Sequence, residues 1–169
     1  VTGFRADLGG AQKLFNVVPD MATFGKGMAN GYPLSAVVGS NEIMKKVEDI
    51  FFSGTFGGET LSLAAASKVI DIYQDKKVVE YLMKLGNVLI DGVVKLIKDH
   101  QLENIVSISS FPSWSILKFK ELEGYSSFEV RTFFLQEVFK RGILTLGSHN
   151  LTFSHTQKDI NKLLDVYSE

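Results

Sequence analysis

The chain has 169 residues, enough for one sizeable domain or one domain with part of another, and its 45% apolar and 22% charged residues are those of an ordinary globular protein. A net charge of -1 gives no electrostatic case for nucleic acid or an anionic membrane, and no apolar run is long enough to cross a bilayer. With no cysteine, disulfides and thiolate metal sites are excluded, which fits a cytoplasmic protein. His100, His149 and His155 are too scattered to suggest a metal site and are expected to be surface or capping residues.

The opening Val1-Thr2-Gly3-Phe4-Arg5 has neither an initiator Met nor a basic-then-apolar signal pattern, and reads as a chain entered partway. The region up to about residue 60 is rich in glycine and short turns. Val17 to Asp20 predicts a loop entering a short strand at Met21–Phe24, and Ser35–Gly39 a second strand ended by its glycine. Ser40 is placed to cap a helix from about Asn41 to Val47, with Glu42 in its first turn. The middle is helical. Leu61 to Tyr73 is rich in Ala and Leu, and Lys76 to about Lys98 carries an apolar stripe through Val79, Leu82, Met83, Leu89, Ile90, Val93, Val94 and Ile97. Gly86 interrupts that stripe without ending it.

Beyond His100 the texture changes. Ile105–Ile108 and Ser115–Phe119 predict strands, Phe128–Lys140 a helix closed by Arg141-Gly142, and Ile143–Leu146 a further short strand. A last helix starts near Gln157, with Thr156 as cap and Asp159 completing an acidic variant of the capping box. The expected organisation is α/β: the end of a large domain over 1–75, a linking helix over 76–103, and a small C-terminal α+β domain over 104–169. The large-domain part is not self-sufficient, because a few short strands cannot bury both faces of a parallel sheet.

Lys26 stands between Gly25 and Gly27 directly after the first strand. A solvated loop lysine gains nothing from that frame. A lysine that must attack an aldehyde gains a fixed backbone and room for a planar partner, and it also needs surroundings that disfavour the ammonium form. From these residues alone both readings stand.

The run Asp20 to Pro33, in which a strand ends in Gly-Lys-Gly and a Gly-aromatic-Pro turn follows, resembles the signature of the class-III pyridoxal-phosphate (PLP) aminotransferases. Thr2-Gly3-Phe4-Arg5, Gly9–Gln12, Ser53–Gly58, Leu61–Ala66 and the ending Gly147–Asn150, Ser154–Thr156 and Asp159-Ile160 resemble further elements of that family, in order and spacing. Within it the resemblance is nearest to the glutamate-1-semialdehyde aminomutase branch, through Thr-Gly-Phe-Arg, Gly10-Ala11-Gln12 and the His155-Thr156 ending. Branches that supply a C-terminal arginine for a substrate carboxylate look different, since the last arginine here is Arg141 at a helix end.

The resemblance implies a fold-type-I PLP transferase with a mainly parallel large-domain sheet. It implies that Lys26 forms the internal Schiff base and shuttles a proton between substrate and cofactor carbons. Thr55, with Gly54 and the N–H groups of its loop, would bind the PLP phosphate, reaching across to the other subunit of a homodimer. Gln12 and Tyr32 are candidates to line the site, with simple packing as the alternative. The substrate implied is a small amino/keto or amino/aldehyde molecule, by transamination or by an intramolecular, isomerase-type amino shift.

The family's carboxylate for the pyridine nitrogen belongs to an Asp-Glu-Val element expected immediately before Val1, so residues 1–169 alone are expected to be inactive. Two rival readings remain. Gly25, Gly27 and Gly31 give G-x-G-x-x-x-G, one residue longer than a dinucleotide fingerprint, with Pro33 where a helix should open, and Gly54–Ser62 lacks a P-loop lysine. The stronger rival is a non-catalytic homologue or an interaction fragment of such an enzyme.

Overall fold

The computed structural model describes residues 3–169, so Val1 and Thr2, which enter the reading of the chain start and of the Thr2–Arg5 run, lie outside the described residues. The chain divides into two units, one ending at Val79 and the other running from Glu80 to Glu169.

In the first unit, a one-turn helix α1 (Ala11–Leu14) precedes strand β1 (Met21–Phe24). A 3-10 turn over Lys26–Met28 follows, and then strand β2 (Ala36–Gly39). β1 and β2 pair antiparallel, from Met21 opposite Gly39 to Phe24 opposite Ala36. The Gly25–Ser35 connection is too short for the crossover of about a dozen or more residues that parallel pairing needs. The protein is of the mixed α/β class, but every pair of named strands among the described residues is antiparallel. The mainly parallel sheet expected of the large domain is therefore not formed by β1 and β2.

Ser40 caps helix α2 (Asn41–Met44), accepting from the Ile43 N–H at 3.4 Å, and the chain tightens into a 3-10 turn over Lys45–Asp49. Helix α3 (Thr60–Asp75) starts at Glu59, whose carboxylate accepts from the N–H groups of Leu61 (2.9 Å) and Ser62 (2.6 Å). The core of this unit is Phe4, Met28, Ala29 and Ala66, with Leu8, Phe24, Leu34, Ala36, Ile70 and Tyr73 packed against it.

Helix α4 (Val78–Asp99) opens at the end of the first unit and runs on into the second. Val78, Leu82, Leu85, Leu89 and Val93 form its buried line, whereas Val94 of the expected stripe is 48% exposed. Gly86 is there for packing: a β-carbon would strike the backbone carbonyl of Pro112. Strands β3 (Val106–Ile108), β4 (Trp114–Phe119) and β5 (Ser148–Asn150) form an antiparallel sheet in the order β3-β4-β5. Helix α5 (Ser127–Lys140) starts with a full capping box between Ser126 and Glu129. Helix α6 (Gln157–Ser168) starts with the expected box between Thr156 and Asp159.

The strand expected at Ile143–Leu146 is not formed. Its backbone groups are engaged elsewhere: the Ile143 N–H donates to the Val138 carbonyl (3.2 Å), and the Leu146 carbonyl accepts from Arg131 Nη2 (2.6 Å). Gly147, at φ 77°, then turns the chain, and pairing begins at Ser148.

Candidate functional site

The residue that the glycine frame singles out sits in an unusual backbone. Lys26 is held at φ 50°, in the left-handed region that a non-glycine residue seldom enters. Before it, Gly25 is extended, and after it Met28 and Ala29 are buried, so the turn is anchored from below while Lys26 itself is exposed. Among the described residues the Lys26 ammonium has no hydrogen-bond or ion-pair partner. A fixed backbone and open room around Nζ are thus present. Lys26 is exposed, so the described residues of this unit leave it open to water.

Gly54 and Thr55 lie on the connection from the 3-10 turn to α3, where every residue from 51 to 58 is exposed. The loop is folded back by the Gly57 N–H donating to the Gly54 carbonyl at 2.9 Å, and Gly58 turns at φ 75°. A β-carbon at Gly54 would meet nothing within 4 Å. The fold itself makes no demand for glycine there, which suits approach by another group. Phe51, Phe52 and Phe56 are 96%, 68% and 55% exposed on the same loop. Lys26 and Thr55 belong to one unit, but no hydrogen bond joins them.

The other candidates fall apart. Tyr32 is 53% exposed. Gln12 lines a cavity of about 500 Å³ with Lys13, Asn16, Pro19, Ala22 and Ser40, and neither Lys26 nor Thr55 borders it. Arg141 is spent on Glu169 (2.8 Å) and Glu137 (3.0 Å), and is not held out for a ligand.

His149 corrects the expectation of three surface or capping histidines. It is only 5% exposed, with Nδ1 2.9 Å from Ser115 Oγ and Nε2 3.0 Å from Tyr167 Oη. Burial pushes its pKa down to about 4. The sequence offered only the alternation of His149 with apolar Leu151, which lies just beyond the end of β5 and is also buried. Among the described residues no group of three or more acidic or histidine side chains could hold a metal.

A second residue missed from sequence is Phe4, which the Thr-Gly-Phe-Arg run contributed only as a resemblance. It is 6% exposed and lies in the core under the Lys26 turn. An isolated phenylalanine in a glycine-rich stretch has no periodicity to reveal it.

Residues 2–158 match the family model of the class-III aminotransferases. The chain is 31% identical to the 3-aminobutyryl-CoA aminotransferase of Cloacimonas acidaminovorans, over 99% of this chain and 41% of that protein. It is 33% identical to the glutamate-1-semialdehyde 2,1-aminomutase of Thermosipho africanus, over all of this chain and 43% of that enzyme. Its fold matches the PLP internal aldimine form of the FumI protein of Sphingopyxis sp. MTA144 with a TM-score of 0.84 at 26% identity, over 98% of this chain and 39% of that one. The chain spans about two-fifths of the length of these relatives. The Gly-Lys-Gly turn after β1, the glycine-rich loop before α3 and the match along nearly the whole sequence agree, and the chain belongs to the class-III aminotransferase family.

Proposed function

We propose that this chain is the lysine-bearing part of a PLP-dependent aminotransferase or aminomutase, with Lys26 as the residue that holds the cofactor. The observation that carries this reading is a lysine kept in a left-handed backbone between two glycines at the end of β1, with no polar partner among the described residues. When bound, pyridoxal phosphate supplies an electron sink through which an amino group can be moved.

The chain's own residues then have distinct tasks. Lys26 Nζ would hold the cofactor and, once released from it, would accept and return a proton beside the substrate carbon. The Thr55 hydroxyl, with N–H groups of the Gly54–Gly58 loop, would hold the phosphate, and Gly54 leaves open space for that approach. Such a loop, exposed and carrying three exposed phenylalanines, suits contact with the cofactor of a second subunit, and the reading includes a cytoplasmic homodimer. The substrate is a small amino/keto or amino/aldehyde molecule. Residues 1–169 by themselves are proposed to be inactive, because they leave Lys26 exposed to water and Thr55 with nothing opposite it.

Borohydride reduction of the whole protein with PLP, followed by peptide mapping, tests the assignment. The label is expected on Lys26, and Lys26→Ala should abolish both label and visible absorbance. A label on any other lysine would overturn it. An unlabelled, colourless wild-type protein would favour the non-catalytic homologue or interaction fragment, a reading that the exposed Phe51–Phe56 loop also fits.

A further inference from the structure

We propose that Phe4 is a positioning residue for Lys26, an inference that rests on the reading of Lys26 as the cofactor lysine. A non-glycine residue stays in the left-handed region only where its surroundings over-determine it, and Lys26, being exposed, has no side-chain hydrogen bond or ion pair among the described residues to do so. The constraint must come through the backbone on either side.

Upstream, Phe24 ends β1 two residues before Lys26, and its ring is enclosed by the Gly3–Gly10 loop. A β-carbon at Gly3 would come within 2.7 Å of Phe24 Cδ1, and one at Gly10 within 2.9 Å of Cε1. The Phe4 ring meets the Phe24 ring edge-on, with centroids 6.3 Å apart and planes at 89°. Downstream, a β-carbon at Gly27 would lie only 3.2 Å from Phe4 Cβ, and Met28 and Ala29 share the core cluster with Phe4. One side chain therefore holds both flanks of Lys26.

Phe4 is itself fixed. It sits at φ 61° with its N–H donating to the Asp7 carbonyl (3.1 Å), and the Gly10 N–H donates to the same oxygen (3.0 Å). The Asp7 carboxylate accepts from the Gly9 N–H at 2.7 Å and pairs with Lys13 at 3.3 Å. Tyr73 of α3 backs the Phe4 ring edge-on, with centroids 5.7 Å apart. The loop is thus closed on Asp7 without help from Lys26, and can act on Lys26 as a template. Without the ring, the turn is free to leave the left-handed region and Nζ loses its aim.

The experiment follows the growth of visible absorbance when PLP is added to the apo form of the whole protein. Phe4→Ala should slow attachment on the order of tenfold to a hundredfold, the scale that misplacement of a reacting group produces. Phe4→Leu, which keeps part of the apolar volume that Phe4→Ala removes from between Phe24 and Tyr73, should restore part of the rate. Val93→Ala, a core truncation in the other unit, serves as the stability control: at a matched fall in Tm it should leave the rate unchanged. Gly27→Ala, whose β-carbon would crowd Phe4 Cβ at 3.2 Å, should slow attachment as Phe4→Ala does, and it decides the matter if Phe4→Ala does not fold. Attachment to Lys26 at the wild-type rate in Phe4→Ala, or in Gly27→Ala where the former does not fold, overturns the proposal, as does an equal slowing in Val93→Ala. Borohydride mapping of the wild-type protein separates the two ideas: label away from Lys26 defeats the cofactor assignment, whereas label on Lys26 with unaltered variants defeats only the role of Phe4.

Discussion

Thr55 and His149 show how far a single residue's setting decides its use. Thr55 is exposed on an open loop and has no side-chain hydrogen bond among the described residues, so its proposed role is ligand-facing. Thr55→Ala should weaken PLP binding in the whole protein by the order of a charge-assisted hydrogen bond, roughly 1.5–3 kcal/mol, read by cofactor titration. An unchanged affinity would return Thr55 to an ordinary turn. His149 is the opposite case, buried between two hydroxyls and kept neutral by desolvation. Its folded pKa of about 4 lies below the ordinary value of 6.5, so the unfolded chain binds the extra proton first as pH falls. The contribution to stability is complete above pH 6.5 and is lost as pH drops through that window towards 4. The two values imply a swing on the order of 3 kcal/mol. Urea unfolding of wild type and His149→Gln across that window checks this: the variant should lack the corresponding slope.

At the scale of elements, α4 carries the packing of the second unit, and its glycine is the sensitive point. Placed in a helix interior, alanine usually gains about 1 kcal/mol over glycine. At Gly86 the new β-carbon would strike backbone atoms of Pro112, which cannot swing aside as a side-chain tip can. Gly86→Ala should therefore be destabilising by about 1–3 kcal/mol of overpacking, against a neutral or slightly stabilising Asn87→Ala at an exposed position of the same helix. Equal denaturation midpoints for the two variants would refute the close-approach argument.

At the scale of the whole molecule, the first unit leaves large apolar side chains in water: Val18 is 94% exposed, Phe51 96%, Phe52 68% and Leu61 68%. Phe51 and Phe52, adjacent and both exposed, are the kind of apolar surface that further protein covers. Residues 1–169 expressed alone are expected to self-associate and to show no transamination, with light scattering and an amino-donor assay as the measurements. A monomeric, yellow and active polypeptide of this length would contradict the proposed dependence on further protein surface.

Local chemistry was written plainly in the sequence. Met21–Phe24 was legible as a strand between a proline-containing loop and a glycine, and Ser40 and Thr156 were legible as caps because a hydroxyl before a helix has one evident use. The Gly-Lys-Gly frame was legible too, since it combines a reactive residue with backbone freedom at one place. What depended on partners distant in sequence was not. Ser148–Asn150, polar throughout, becomes a strand because β4 offers it an edge, while the more apolar Ile143–Leu146 loses its backbone groups to Val138 and Arg131. His149 is buried because Ser115 and Tyr167 close around it, and Gly86 is required because Pro112 passes across α4. Sequence by itself singled out Lys26 as the candidate for the reactive amine, through its glycine frame and the family resemblance. Only the tertiary structure decided what holds that residue still, because Phe4 reaches Phe24 and Gly27 through space, and no periodicity along the chain encodes that contact.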